Sequence, residues 1–482
     1  MKIEQTLKEQ TAKGLFWGGL SNGVQQILNL LFGIILARIL NADDYGLVAM
    51  LAIFTSIAGI IQDSGFSTAL INQKEIRHED YNAVFWFTLF VSTTLYIGLF
   101  FSAPLIAEFY GKPELIKLAR IVFLGFWFGG ISIVPNALLL KQMMIKERAK
   151  IDIISLVISG IIGVVLALND FAYIGIAIQT VTYVAIGALL RYYFTSWRPL
   201  LVINLRPLRK LLNFSFKLLL TNILLQVNNN VFSVILGKYY HEKQTGYYSQ
   251  GQKWVGMGVL LINGMISSVA QPVFVQIKED IDRQRNVFRK MVRFGAFISF
   301  PSMFGLAFIS QEFIAILLGD KWLPSVPYLQ LFCIWGAISF LWVLYTTLLM
   351  CYERSDTYLY GMILIGLLQL LVVFAMSSFG IYLMIVGYIF AYCLGILFWH
   401  YNVNKIIYID FIHIVKDVLP YFFITIVSIV IAWCFTKNIN NIYVSVLFKI
   451  LITALVYVGL LWRLNSVIFM ECLSFLRRKM NY

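Results

Sequence analysis

The feature that most constrains this chain is a succession of apolar runs about 20 residues long. Each is long enough to cross a hydrocarbon core of about 30 Å as a helix. Fourteen runs are legible, at 14–38, 46–62, 83–106, 119–140, 153–169, 171–190, 214–237, 252–273, 293–313, 326–350, 358–377, 380–399, 418–436 and 443–462. Backbone polar groups must be satisfied internally in lipid, and a helix does this within one segment. The expected fold is therefore an all-α membrane protein. Composition agrees: 60% of the 482 residues are hydrophobic and 13% are charged, about half the charge of a soluble protein. This excludes a secreted disulfide scaffold, a disordered chain and a nucleic-acid-binding domain. The shortest connections, Asn169-Asp170 and Ser377-Ser378, decide the count, because reading them as broken helices would leave twelve spans.

The first run is too long for a signal-peptide core and no small-residue cleavage site follows it, so it is expected to remain as the first span. The net charge of +14 follows the positive-inside pattern. With fourteen spans, 28 of the 38 Lys and Arg residues fall on one side, which places both termini in the cytoplasm. The outer loops are too short to hold a soluble catalytic domain. The five cysteines form no CxxC pair, and the four histidines match no metal-ligand spacing. The sequence therefore predicts neither metal nor cofactor.

A parallel repeat organises the spans. Offsetting the chain by 200 residues places Leu20–Gly46 over Leu220–Gly246 without a gap. The identical pairs include Asn22/Asn222, Gln26/Gln226, Asn29/Asn229 and Gly46/Gly246, while Arg38/Lys238 keeps its charge. Six spans separate the two helices, so they run in the same direction, as in transporters built of two similar halves. The expected organisation is an N-lobe at 1–200, a cytoplasmic linker at 201–213 and a C-lobe at 214–405. Two C-terminal spans at 406–466 and a basic amphipathic tail at 467–482 complete it.

Asn22, Gln26 and Asn29 share one helical stripe, and Asn222, Gln226 and Asn229 repeat it. A polar stripe is costly against lipid, so it is expected to line a wet interior rather than only to bond neighbouring helices. Gly14, Gly18, Gly19 and Gly23 form overlapping GxxxG patterns, read as close helix packing. Arg38, Arg120, Lys253 and Lys449 lie at or inside the outer ends of spans and together suit a phosphate. Lys13, Lys217 and Arg293 are candidates for the cytoplasmic mouth. Acidic groups inside spans read as nearly absent, with Asp63 and Glu108 near ends and Asp170 in a turn, so no coupling site is identified. The triplet Asp280-Ile281-Asp282 has the DxD form of nucleotide-sugar transferases but lies in a short basic loop, which argues against catalysis.

Several short motifs recur in order: Ala37-Arg38-Ile39-Leu40 to Asp44-Tyr45-Gly46, Asp63-Ser64-Gly65-Phe66, Ala69-Leu70-Ile71, Ala103-Pro104-Leu105-Ile106-Ala107 and Phe109-Tyr110. Gly246-Tyr247-Tyr248-Ser249, Gln271-Pro272-Val273-Phe274 and Leu318-Gly319-Asp320-Lys321-Trp322 follow. In these the chain resembles the Wzx-type polysaccharide transporters, in the branch of the colanic acid and teichuronic acid exporters. These belong to the multidrug/oligosaccharidyl-lipid/polysaccharide exporter superfamily. The resemblance implies two six-helix lobes around a central cavity, two further C-terminal helices, and a flippase rather than an enzyme. It implies transfer of undecaprenyl-pyrophosphate-linked oligosaccharide between leaflets of the bacterial cytoplasmic membrane, with membrane lipids and polysaccharide polymerase or chain-length machinery as partners. A drug/cation antiporter and a membrane-embedded oligosaccharide polymerase are the rival expectations.

Overall fold

The computed structural model describes residues 2–63, 66–72, 76–202, 204, 223, 226–227 and 230–480. Among the described residues there is no strand. The first helices are α1 (Lys2–Ile39), α2 (Ala42–Met50), α3 (Ala52–Asp63), α4 (Phe66–Asn72), α5 (His78–Tyr110), α6 (Glu114–Lys141), α7 (Ile145–Leu168) and α8 (Ala172–Phe194). After a helical segment at 230–239 come α9 (Glu242–Gln276), α10 (Ile281–Phe308), α11 (Ser310–Leu317), α12 (Val326–Cys351) and α13 (Ser355–Met376). The chain ends with α14 (Ile381–Ile407), α15 (Phe411–Thr436), α16 (Ile442–Arg463) and α17 (Val467–Met480).

Thirteen candidate spans occur among the described residues. The fourteenth expected run, 214–237, lies largely outside them, as does most of the expected linker. The two doubtful connections are true turns. Asp170 (φ 60) and Ala172 (φ 47) separate α7 from α8, and Gly380 (φ 99) follows a 3-10 turn at Ser377–Phe379 before α14. Several helices outrun their apolar cores: the third span, expected at 83–106, is His78–Tyr110. Hydropathy reports the lipid-facing length, whereas capping chemistry decides where the helix stops. At α5 the stop is Gly111, left-handed at φ 68, a conformation that glycine adopts without a Cβ penalty. At α10 the start is Asp280, whose side chain accepts a 2.9 Å hydrogen bond from the Arg283 N–H. Asp282 meanwhile contacts Arg285 at 3.1 Å. The DxD carboxylates are thus a helix cap and an ion pair.

The chain divides into two compact units, Met1–Gly246 and Tyr247–Tyr482. In the first, α5, α6 and α8 pack in sequence and α1 lies against α7. Its core includes Leu115, Leu118, Ala119 and Phe123, all fully buried. In the second, α10 contacts both α12 and α15, α14 pairs with α13, and α16 pairs with α15. Trp322, Trp399, Phe288, Phe332 and Phe340 are buried there. The final two spans belong to this second unit.

Candidate substrate-handling residues

On α1, Asn22, Gln26 and Asn29 share an exposed face. Beside it Ser21 is buried and accepts a 2.8 Å hydrogen bond from Gln25, and further along the helix Leu36 and Ala37 enter the core. A Cβ on Gly160 of α7 would meet the Phe32 ring at 2.5 Å, so α1 is seated through Phe32. Among the described residues, none of the three stripe amides has a side-chain hydrogen-bond partner. Gly19 and Gly23 also face open space, with nothing within 4 Å of an added Cβ. This corrects the GxxxG expectation for Gly19 and Gly23, which do not bring a second helix close; the surroundings of Gly14 and Gly18 lie outside the described residues. A GxxxG spacing places small residues on one face without specifying whether another helix occupies it.

Of the matching stripe, Asn222 and Asn229 lie outside the described residues, as does Lys217; the side chain of Lys13 is likewise outside them. Gln226 is described and belongs to a local amide cluster. Asn230 Nδ2 donates to Gln226 Oε1 at 3.2 Å, to its backbone carbonyl at 2.9 Å and to Ser56 Oγ at 3.4 Å.

The cations separate into different environments. Arg38 is exposed in the last turn of α1. Arg120, half-buried on α6, holds its guanidinium 4.3 Å from the Phe100 ring centroid, a cation–π seat. Lys253, also half-buried, lies near the Trp254 ring at 5.6 Å. Among the described residues neither Arg120 nor Lys253 has a carboxylate within ion-pair distance. Lys449 differs: its ammonium pairs with Glu312 of α11 and lies 4.7 Å from the Phe308 ring. Arg293 pairs at 2.9 Å with Asp417 of α15. In this state, therefore, Lys449 is neutralised and Arg293 helps anchor a helix. Arg38 and Arg120 belong to the first unit, Lys253 and Lys449 to the second.

The sequence reading missed the acids behind these pairs. Glu312 lies inside the ninth apolar run, while Asp152 and Asp417 immediately precede theirs. Asp152 meets Arg191 at 3.3 Å and Arg148 at 3.9 Å. Asp417, only 7% exposed, accepts from Arg289 Nε at 2.7 Å and from its terminal nitrogen at 3.0 Å. Carboxylates are thus present within the helical bundle and tolerated because each is compensated. The buried amide of Gln62 is matched too: it donates to Ser92 Oγ at 2.9 Å and to the Phe126 carbonyl. No group of three or more His, Cys, Asp or Glu that could hold a metal occurs among the described residues.

Residues 35–327 match the family described as polysaccharide biosynthesis protein. The chain belongs to that family. Among relatives of this polysaccharide biosynthesis protein, the teichuronic acid biosynthesis protein TuaB of Bacillus subtilis (strain 168) is 26% identical over 357 residues, 74% of each chain. The lipopolysaccharide biosynthesis protein WzxC of Escherichia coli (strain K12) is 25% identical, covering 73% of this chain and 72% of its own. Among solved structures, lipid II flippase MurJ in an inward closed conformation covers 95% of this chain and 99% of its own. Its TM-score is 0.76 and its identity 16%. An inward-facing multidrug resistance MATE transporter gives a TM-score of 0.64 at 15% identity over 79% of this chain and 95% of its own. The fold is that of these transporters, and the chain is a multi-pass membrane protein.

Proposed function

We propose that this protein moves undecaprenyl-pyrophosphate-linked oligosaccharide from the inner to the outer leaflet of the bacterial cytoplasmic membrane by alternating access. Both termini are cytoplasmic in this reading, and the protein acts as a transporter rather than an enzyme. Its place is in surface polysaccharide biosynthesis, beside a polymerase and chain-length machinery. The observation that carries the reading is the uncovered polar face of α1 in a chain of this family. Asn22, Gln26 and Asn29 offer amide donors and acceptors to hydroxyl-rich cargo, and Asn222, Gln226 and Asn229 extend that role to the repeat. Arg38, Arg120 and Lys253 meet the pyrophosphate, with Arg120 and Lys253 the favoured contacts because neither has a carboxylate partner among the described residues. Lys449 joins them only when its pair with Glu312 opens. Lys13 and Lys217 attract the anion at the cytoplasmic mouth, while Arg293 is committed to Asp417. A cationic cargo fits less well, because Asp152, Glu312 and Asp417 are each already compensated by a cation.

The test uses vesicles loaded on one leaflet with lipid-linked oligosaccharide and counts its arrival on the other. A charge-assisted hydrogen bond contributes about 1.5–3 kcal/mol. The double variant Arg120→Gln/Lys253→Gln should therefore move cargo at least about tenfold more slowly while retaining its melting temperature. Wild-type transport by that variant overturns the assignment of these two residues, and no transport by the wild type overturns the function.

A further inference from the structure

The 200-residue repeat returns in the structure as a reciprocal backbone contact inside the first compact unit. A Cβ on Gly46 of α2 would lie 2.6 Å from the carbonyl carbon of Glu242 and closer still to its oxygen. A Cβ on Gly246 would lie 2.7 Å from the carbonyl carbon of Ala42, again closer to the oxygen. Gly46 is thus met by Glu242, the repeat mate of Ala42, and Ala42 by Gly246, the repeat mate of Gly46. On each side the two residues are one helical turn apart, the spacing that lets helix backbones approach closely. Only glycine fits at 46 and 246 while this contact is made.

Polar clasps surround the contact. Gly111 ends α5 and sets Lys112, whose ammonium lies 2.7 Å from both carboxylate oxygens of Glu242. Lys238 donates to the Phe109 carbonyl and stands 4.6 Å from that residue's ring. Tyr110 donates a 3.0 Å hydrogen bond to the Met50 carbonyl, and Met50 and Tyr110 both crowd Gly237. Three chain segments, 42–50, 109–112 and 237–246, are drawn together at the end that the charge pattern assigns to the outside.

We propose that this glycine seam is the outer closure of the transport cycle, and that glycine at 46 and 246 sets how much of the protein is shut on that side. The proposal rests on the alternating-access reading above. The seam is made of backbone contact and of polar clasps, Lys112 and Glu242 partly exposed, beside the buried Met50 and Tyr110. Glu242 also stands at the first turn of α9, where the helix dipole favours a carboxylate. Its charge therefore keeps a stabilising partner when Lys112 moves away. The seam has an all-or-none steric requirement for closing.

The test follows the labelling of Thr245→Cys, a fully buried seam position, by a membrane-impermeant maleimide applied to the outside of intact cells. The background carries alanine at Cys393, Cys434 and Cys472, the cysteines that are not buried. Gly46→Ala and Gly246→Ala should each raise the labelling rate by roughly fivefold or more, the scale of a modest shift in a two-state balance. Gly59→Ala, at a position with nothing within 4 Å of an added Cβ, should leave the rate unchanged. Equal rates in all three variants overturn the proposal. If the two seam variants fail to reach the membrane, Lys112→Gln decides: faster labelling supports the closure and an unchanged rate overturns it. The readout requires no cargo. Failure of the flippase reading appears instead in the vesicle assay, with the labelling result intact.

Discussion

Replacing Asp417 by Asn should destabilise the second unit far more than removing the carboxylate of Glu471, which sits in an exposed pair. The carboxylate is 7% exposed and faces two guanidinium groups, at 2.7 and 3.0 Å from Arg289 and at 2.9 Å from Arg293. Asparagine keeps the shape but leaves two cations with one neutral acceptor. Removing one partner of a buried pair costs about 3–5 kcal/mol. Here Arg289 and Arg293 are 26% and 29% exposed, so water recovers part of the loss and about 3 kcal/mol is expected. For a unit of this size each kcal/mol moves the melting temperature by roughly 2–4 °C, giving a fall of about 6–12 °C. Tryptophan fluorescence during thermal unfolding in detergent measures it. The internal comparison is Glu471→Gln, which breaks the Lys290–Glu471 pair, where the side chains are 54% and 49% exposed; an exposed pair contributes about 0–1 kcal/mol. If Asp417→Asn lowers the melting temperature no more than Glu471→Gln does, the clamp does not hold α15 to α10 and the argument fails.

Two further outcomes follow from the packing. Glu312→Leu or Lys449→Met alone should lower the melting temperature, because each leaves a charge in a site where the side chains are 16% and 12% exposed. The combined variant should recover most of that loss, and simple additivity in a double-mutant cycle would refute a coupled pair. Gly361→Leu should destabilise by about 1–3 kcal/mol through overpacking, since even a Cβ there would approach a Trp399 ring carbon to 2.6 Å. An unchanged melting temperature would show that Trp399 moves aside freely.

The membrane architecture was legible because hydropathy is a local property repeated along the chain. The turns at Asp170 and Gly380 were the doubtful part of that reading, because only a few residues decide them. Pairing was not legible. Glu312 and Lys449 are 137 positions apart, and Asp417 and Arg289 are 128, so their mutual compensation exists only after the helices pack. An isolated reading of Lys449 sees a free cation, and one of Asp417 sees a loop acid. The glycines teach a similar lesson. Gly19 and Gly23 carry a known packing spacing yet face open space, whereas Gly46 makes the close approach with no GxxxG spacing around it. The repeat alignment already contained Gly46/Gly246, and what it lacked was the identity of the surface each one touches. The polar stripe on α1 was readable because period and polarity coincide on one helix.

The contact between 42–46 and 242–246 has a consequence for how such a chain could arise. Position i touches the mate of j, and position j touches the mate of i. That is the isologous pattern of an interface in a homodimer, where one surface patch meets its own copy about a two-fold axis. Within a half-length subunit assembled in that way, a single glycine would serve both sides of the contact at once. In the fused chain the two glycines are separate residues, so each side can vary independently and the symmetry of the closure is free to drift.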